Sequence, residues 1–381
     1  SQSGKVITHT NGAHVVIDMK TNAVKNVNIT LEGTTADGSL KVYGEKKYML
    51  TLNGVDITST TGPAINSQCK KRVFVHLADG TVNSLKDSKT YTDDFYYPEG
   101  KTAADEDRKG CFFSEGHMLV SGKGVLKVAG LTRHGIATDG YFVMRPGVTI
   151  AVTEAAKNGV HVKGDADDNM GIVINGGLLY ANIAAEAGKA MKTDQSVVVN
   201  GGQLLLNTSG GSYYDNDEQD TTSPSCIKAD GDVTINDGEL TLKSTGTGGK
   251  GISADGKVNI AGGTTTIATT GGKYTYTQDL TSSPKGIKAE GDLNISGGKL
   301  SVSVTGKSDG SEGIESKSTI NISGGETYVY AYDDACNAAN SIIVSGGNVF
   351  CHSVNNDGID SNGTISVSGG TVVASGTNVP E

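Results

Sequence analysis

Across 381 residues the chain carries 42 acidic against 32 basic side chains, a formal charge of −10, together with 54 glycines and no tryptophan. That balance excludes nucleic acid as the main partner, because neutralising phosphates takes a net basic surface, and it suits cations or neutral glycans. No window of about 18 apolar residues exists to cross a membrane as a helix, and the polar start at Ser1 holds no signal peptide, which is compatible with removal by processing.

In chain order, residues 1–54 hold alternating segments such as His14 to Asp18 and Val24 to Leu31 between Asn, Gly and Thr turns. They read as strands of an N-terminal cap or of irregular first coils. Gly62 to Ser67 is the first regular motif, and Val73 to Leu77 continues as a strand. Residues 84–109 then break the period with Tyr91, Asp93, Asp94, Tyr96, Tyr97, Asp105, Glu106 and Asp107, a polar loop long enough to be functional or disordered. The motif returns at Cys111 to Gly116, at His134 to Asp139 and at Asn158 to His161, which sets His134 and His161 in adjacent turns.

Beyond that point a unit of about 20–27 residues recurs, too short for a helix pair and typical of a solenoid. Its fullest copy is Gly286 to Gly298, GIKAEGDLNISGG: an isoleucine, an acidic turn, an alternating strand and a glycine pair. Ile227, Ile252, Ile287 and Ile314 occupy one position, with Met191, Cys336 and Ile359 as further copies. Excursions at 210–224 and 271–284 fall at equivalent places and carry Tyr213, Tyr214, Tyr274 and Tyr276. Side chains on a strand alternate, so Leu293 and Ile295 face a core while Asp292 and Asn294 face outward. The expected fold is all-β, a single-stranded right-handed parallel β-helix forming one domain over 1–381, with the cap and three loop excursions. The last coil stops at Val379 to Glu381 without a cap, and bare strand edges call for a covering loop, segment or second chain, end to end or side by side. The five cysteines are odd in number and lack CxxC spacing, which favours buried free thiols over metal ligation.

Equal positions in successive coils stack into stripes, and three stripes carry chemistry. Tyr328, Tyr330 and Tyr332 point outward from one strand, with Phe350 and His352 beside them on the next coil. Flat aromatic faces suit sugar rings, and they equally suit a protein interface. Lysines flank the isoleucine file in the middle coils, Lys189, Lys192, Lys228, Lys250, Lys285 and Lys288; of these Lys192, Lys228 and Lys288 are the candidates to read carboxylates of an acidic glycan, against ordinary solvated turns. Toward the C-terminus the flanks become Glu312, Glu315, Asp333, Asp334, Asp357 and Asp360, a set of oxygens that calcium would accept.

The strings GCFFSEG near Gly110, HGIATDGYFVMRPG near His134, the repeated GIKADGDVTINDG, and DDACNA followed by NNDGIDSNG resemble the secreted bacterial β-helical carbohydrate-binding proteins, polysaccharide-lyase-like in fold, whose members bind cellulose and pectic acids. The resemblance runs from about Gly62 to the C-terminus. It implies a right-handed β-helix, calcium held in loops, a secreted or cell-surface location, lipid-anchored before processing or free, and binding rather than catalysis. No nucleophile elbow, P-loop or HExxH occurs. The expectation is therefore polysaccharide binding without a catalytic set. The alternatives are a calcium-dependent lyase using Lys228 or Lys288 as base, and an adhesin or assembly module.

Overall fold

The computed structural model describes residues 6–20, 23–92, 94–167 and 169–378. Ser1, Asp93 and the Val379 to Glu381 end, all invoked above, lie outside the described residues. Among the described residues no helix is long and apolar enough to cross a membrane. Strands and turns build the described residues, with one 3-10 turn among them at Ala103–Asp105. It divides into two compact units, Ser1–Ala181 and Asn182–Glu381.

In the second unit every coil supplies three strands, as in Lys285–Ala289, Leu293–Ile295 and Lys299–Val304. Each pairs in parallel with its counterparts in the coils on either side. Ile227, Ile252, Ile287 and Ile314 are successive register partners, all fully buried, and Cys336 and Ile359 extend the file. The interior isoleucine stack expected from the repeat is present. Burying each such side chain contributes roughly 1.5–3 kcal/mol, which is how a motif of two or three letters fixes a fold.

Why glycine precedes the isoleucine follows from what lies across the core. A Cβ on Gly286 would fall 2.2 Å from Cγ1 of Val302, and one on Gly313 would fall 2.1 Å from Cγ1 of Val329. Glycine lets the two walls of a coil close to contact. At the corner, Gly298 has φ +73°, and a Cβ there would sit 2.6 Å from the carbonyl carbon of Gly262 in the preceding coil. Both backbone conformation and stacking distance therefore demand it. Outside the core, an amide ladder joins the coils: Asn321 Nδ2 donates to Asn294 Oδ1 and Asn294 Nδ2 to Asn259 Oδ1, each at 2.9 Å.

The first unit begins with an antiparallel hairpin, Ile7–Asn11 with Ala13–Asp18. Parallel stacking starts at once, running from Ala13–Asp18 through Gly38–Gly44, Ile65–Cys69, Gly110–Ser114 and His134–Thr138 to Val160–Val162. The regular stack thus starts earlier than the Gly62 motif suggests, because buried Leu40 and Val42 supply the inward file without the Gly-Ile signature. Ile7–Asn11 covers the outer edge of the first coil, as an open solenoid end requires. The polar excursion leaves after strand Val82–Lys86, not at 84, and folds onto the first sheet: Glu106 accepts from Lys41 Nζ at 2.8 Å and from the Tyr43 hydroxyl, while Tyr96 stacks on His9 at 3.7 Å. His134 and His161 stack at 4.2 Å, as their adjacent turns foretell.

Candidate functional site

The lysine flanks resolve into two outward rows on the first sheet of the second unit. One row, two residues before the buried file, reads Lys189, Ser225, Lys250, Lys285, Glu312; the other, one residue after it, reads Lys192, Lys228, Ser253, Lys288, Glu315. Serines interrupt both rows. Ser225 and Ser253 separate charges that would otherwise repel at the strand spacing of about 4.8 Å.

The rows differ in what neutralises them. Lys192 pairs with Asp194 at 2.9 Å, Lys288 with Glu290 at 2.6 Å, and Lys228 with Asp230 at 3.3 Å and with Asp255. These three, the lysines expected from sequence to read carboxylates, are engaged by acids of their own or the neighbouring turns. Lys285 pairs with Glu312 at 2.7 Å and Glu315 at 3.3 Å. Lys250 is 9% exposed and pairs with no carboxylate among the described residues; its Nζ donates to Gly248 O and Ser282 Oγ, each at 3.0 Å. Burial, with repulsion from Lys288, Lys285 and Lys189, draws its pKa down to about 7. Burial together with Lys192 and Lys228 likewise draws Lys189 to about 8, although its Nζ donates to Thr222 Oγ1 at 3.0 Å.

What buries these lysines is the pair of excursions. Each folds into a hairpin, Tyr213–Asp215 with Asp220–Thr222 and Tyr274–Thr275 with Thr281–Ser282. Tyr214 and Tyr276 stack at 4.0 Å with planes 3° apart, and Thr221 Oγ1 donates to Thr281 O at 3.3 Å. The joined hairpins stand beside the sheet and enclose a cleft of about 770 Å³, floored by the lysine rows and walled by Thr222, Ser282 and Ser283, with Asp215, Glu218 and Asp220 of the first hairpin also on its lining. Sequence alone omits Lys189, Lys250 and Lys285 from the candidate site. Their shared place is two residues before the buried file, ahead of Ala190, Gly251 and Gly286, in the row that faces the hairpins.

On another face, the aromatic register holds for four of the five residues. Tyr328 and Phe350 are register partners, stacked at 5.1 Å with planes 5° apart, and Tyr330 pairs with His352 at 5.5 Å. Tyr328 and Tyr330 are 37% and 41% exposed, beside a shallow trough lined by Thr266, Ala268, Ser301 and Ser303. Tyr332 is the exception. Strand Glu326–Ala331 ends one residue before it, so Tyr332 belongs to the half-buried turn that follows and is not part of the paired strand register.

Among the acids, Glu312, Asp333 and Asp334 bring carboxylate oxygens within 4.8 Å of one another. Burial, with the charges of Asp333, Glu312 and Asp360, pushes Asp334 up to about 7, and burial outweighs Lys285 to raise Glu312. Asp334 Oδ1 accepts from the backbone N–H of Asp357 at 3.0 Å. Glu315 stands apart: against the effect of burial, Lys285 and Lys317 hold it below the usual carboxylate range. Asp360 pairs in register with Asn337 one coil further on and lies outside the triad.

Three comparisons with known proteins bear on this chain. A carbohydrate-binding domain-containing protein of Acetivibrio thermocellus is 32% identical over 112 residues, 29% of this chain and 37% of that protein's length. A polysaccharide lyase-like protein from C. thermocellum, solved as a gadolinium derivative, superposes with a TM-score of 0.42 at 21% identity, over 80% of this chain and 92% of that one. The sequence profile of the carbohydrate-binding domain-containing proteins matches residues 11–166, 147–273, 245–310 and 271–358, most of the chain, and the protein described here belongs to that family.

Proposed function

We propose that the second unit binds an acidic polysaccharide in the lysine-floored cleft. The observation that carries this reading is Lys250: an amine buried at the base of an open groove, beside like charges, with no carboxylate partner among the described residues. A buried ammonium without a counter-charge is costly, and a uronate carboxylate seated against it supplies the missing partner. Binding then draws a proton onto Lys250 above pH 7 and weakens as salt screens the cleft. Tyr328, Phe350 and Tyr330 offer a second surface, on which the faces of sugar rings can pack.

In the same reading calcium occupies the Glu312, Asp333 and Asp334 triad. The donor set fits: three carboxylates converge, and the cation would offset the burial and the neighbouring acidic charges that raise Asp334 to about 7. The reading expects an extracellular location, secreted or at the cell surface, where polymers of this size are met. A lyase is the second reading, favoured by Lys250 as an amine neutral enough near pH 7 to act as a base.

The test is titration with polygalacturonate, its methyl ester and a neutral glucan, for the native chain and Lys250→Met at pH 6. The acidic polymer alone should bind tightly, with at least a tenfold loss in the variant. Equal binding of ester and acid, or an unaffected variant, refutes the reading. Ultraviolet absorbance from unsaturated product in the same mixtures would establish the lyase instead.

A further inference from the structure

Each coil of the second unit sets the buried isoleucine position opposite one inward residue of its third strand. Close packing of Ile267, Val302 and Val329 on the glycine before that position marks the pairs as Ile252 with Ile267, Ile287 with Val302 and Ile314 with Val329. In one coil both members change together: Cys336 stands in the isoleucine file and Cys351 in the file of Val329. Their Sγ atoms lie 3.0 Å apart, about 1 Å beyond a bonded pair. Both are almost fully buried, at 1% and 2% exposure. A lone cysteine in a core file is an ordinary small apolar residue; two replacing both halves of one facing pair, in contact, are placed for a bond. The remaining three, Cys69, Cys111 and Cys226, are buried elsewhere in the fold.

We propose that Cys336 and Cys351 are a disulfide site, oxidised by a low-molecular-weight disulfide such as oxidised glutathione. One cysteine thiolate attacks a sulfur of the external disulfide and expels one glutathione thiolate. The thiolate of the other cysteine then attacks the protein sulfur of the mixed disulfide and expels the second. Two protein thiols are oxidised, one glutathione disulfide is reduced to two thiols, and the two protons pass to them. Both sulfurs are sealed in the core of the folded coil, out of reach of an external disulfide, so exchange belongs to the stage before the coil closes. Once made, the bond is sealed from reductants by the same burial. It ties the strand two residues beyond Asp334 to the strand that presents Phe350 and His352, fixing the acid triad and the aromatic step to each other across the core.

The full chain is synthesised in oxidised-glutathione buffer, acid-quenched, denatured, alkylated and weighed. Three alkylated thiols are expected instead of five, with a proteolytic fragment joining Cys336 to Cys351. A parallel chain carrying Cys336→Ile and Cys351→Val, which restores the facing pair of the neighbouring coils, should show three alkylated thiols and no linked fragment. Five alkylated thiols in the natural chain overturn the proposal, as does a linked fragment between any other two cysteines. Neither outcome depends on glycan binding.

Discussion

Replacing Lys250 with methionine should stabilise the protein while weakening its hold on an acidic glycan. The folded chain draws the pKa of this amine from 10.5 to about 7. Each tenfold in a proton equilibrium is about 1.4 kcal/mol, so keeping Lys250 charged costs the folded state about 5 kcal/mol. The variant also loses the hydrogen bonds to Gly248 O and Ser282 Oγ, about 1–3 kcal/mol together. A net gain of about 2–4 kcal/mol remains at pH 6. The sign of the pH dependence is fixed. Between pH 7 and 10.5 the unfolded chain binds more protons at this site than the folded one, so native stability climbs with pH there. The variant has nothing to titrate, and its advantage should be full below pH 7 and shrink by about 1.4 kcal/mol per pH unit above it. Urea melts of both chains at pH 6, 7.5 and 9 measure the gap, and comparing them cancels the other titrating groups. A variant less stable than the native chain at pH 6, or a gap that does not move with pH, refutes the reasoning.

Three further outcomes follow. Ile287→Ala, at a fully buried site between Ile252 and Ile314, should cost about 2–5 kcal/mol in a urea melt; a loss well under that range contradicts the interior file. Tyr330→Ala, at an exposed site, should change stability by no more than about 0.5 kcal/mol yet reduce retention on immobilised polysaccharide, and unchanged retention removes the aromatic step from the binding surface. Because Asp334 is raised from 3.8 to about 7, its contribution to stability is lost as pH rises across that window and stays lost above it. Calcium should therefore raise the melting temperature at pH 8 and progressively less as pH falls through 7, an effect absent in Asp334→Asn.

Register was legible because it is a property of the repeat. Once Ile287 is aligned with Ile252 and Ile314, strand geometry decides which neighbours face out, and Tyr328 beside Phe350 follows with no knowledge of the structure. Strand ends were less legible: Tyr332 continues the alternation on paper, but the chain turns at Ala331 to deliver Asp333 and Asp334 to the corner. Burial of charge was not legible at all. Lys228 and Lys250 look alike as letters, yet Lys228 meets Asp230 and Asp255 in its own and the neighbouring turn, while Lys250 lies under a hairpin contributed by the next excursion. What covers a residue depends on where an irregular insertion folds back, and insertions carry none of the period that makes the coils readable.

That difference bears on why the cleft sits on a solenoid. Lys250 and Lys285 are register partners, held at the strand spacing of about 4.8 Å by backbone hydrogen bonds on both sides. On a loop, such neighbours would swing apart into water and lose their tension. Here the sheet holds them at that spacing, and the hairpins, joined by the Tyr214 and Tyr276 stack, stand over Lys250. On the proposed reading, an anion seated against Lys250 would meet an amine already held in place, with no reorganisation needed to receive it. Under the proposed function a chain of carboxylates would be a better partner than a single anion, since Lys189 and Lys250 stand two coils apart in one row and each contact restrains the next. The Lys250 substitution therefore tests more than one side chain: stability and affinity should move in opposite directions only if the strain is held by the scaffold and relieved by the ligand.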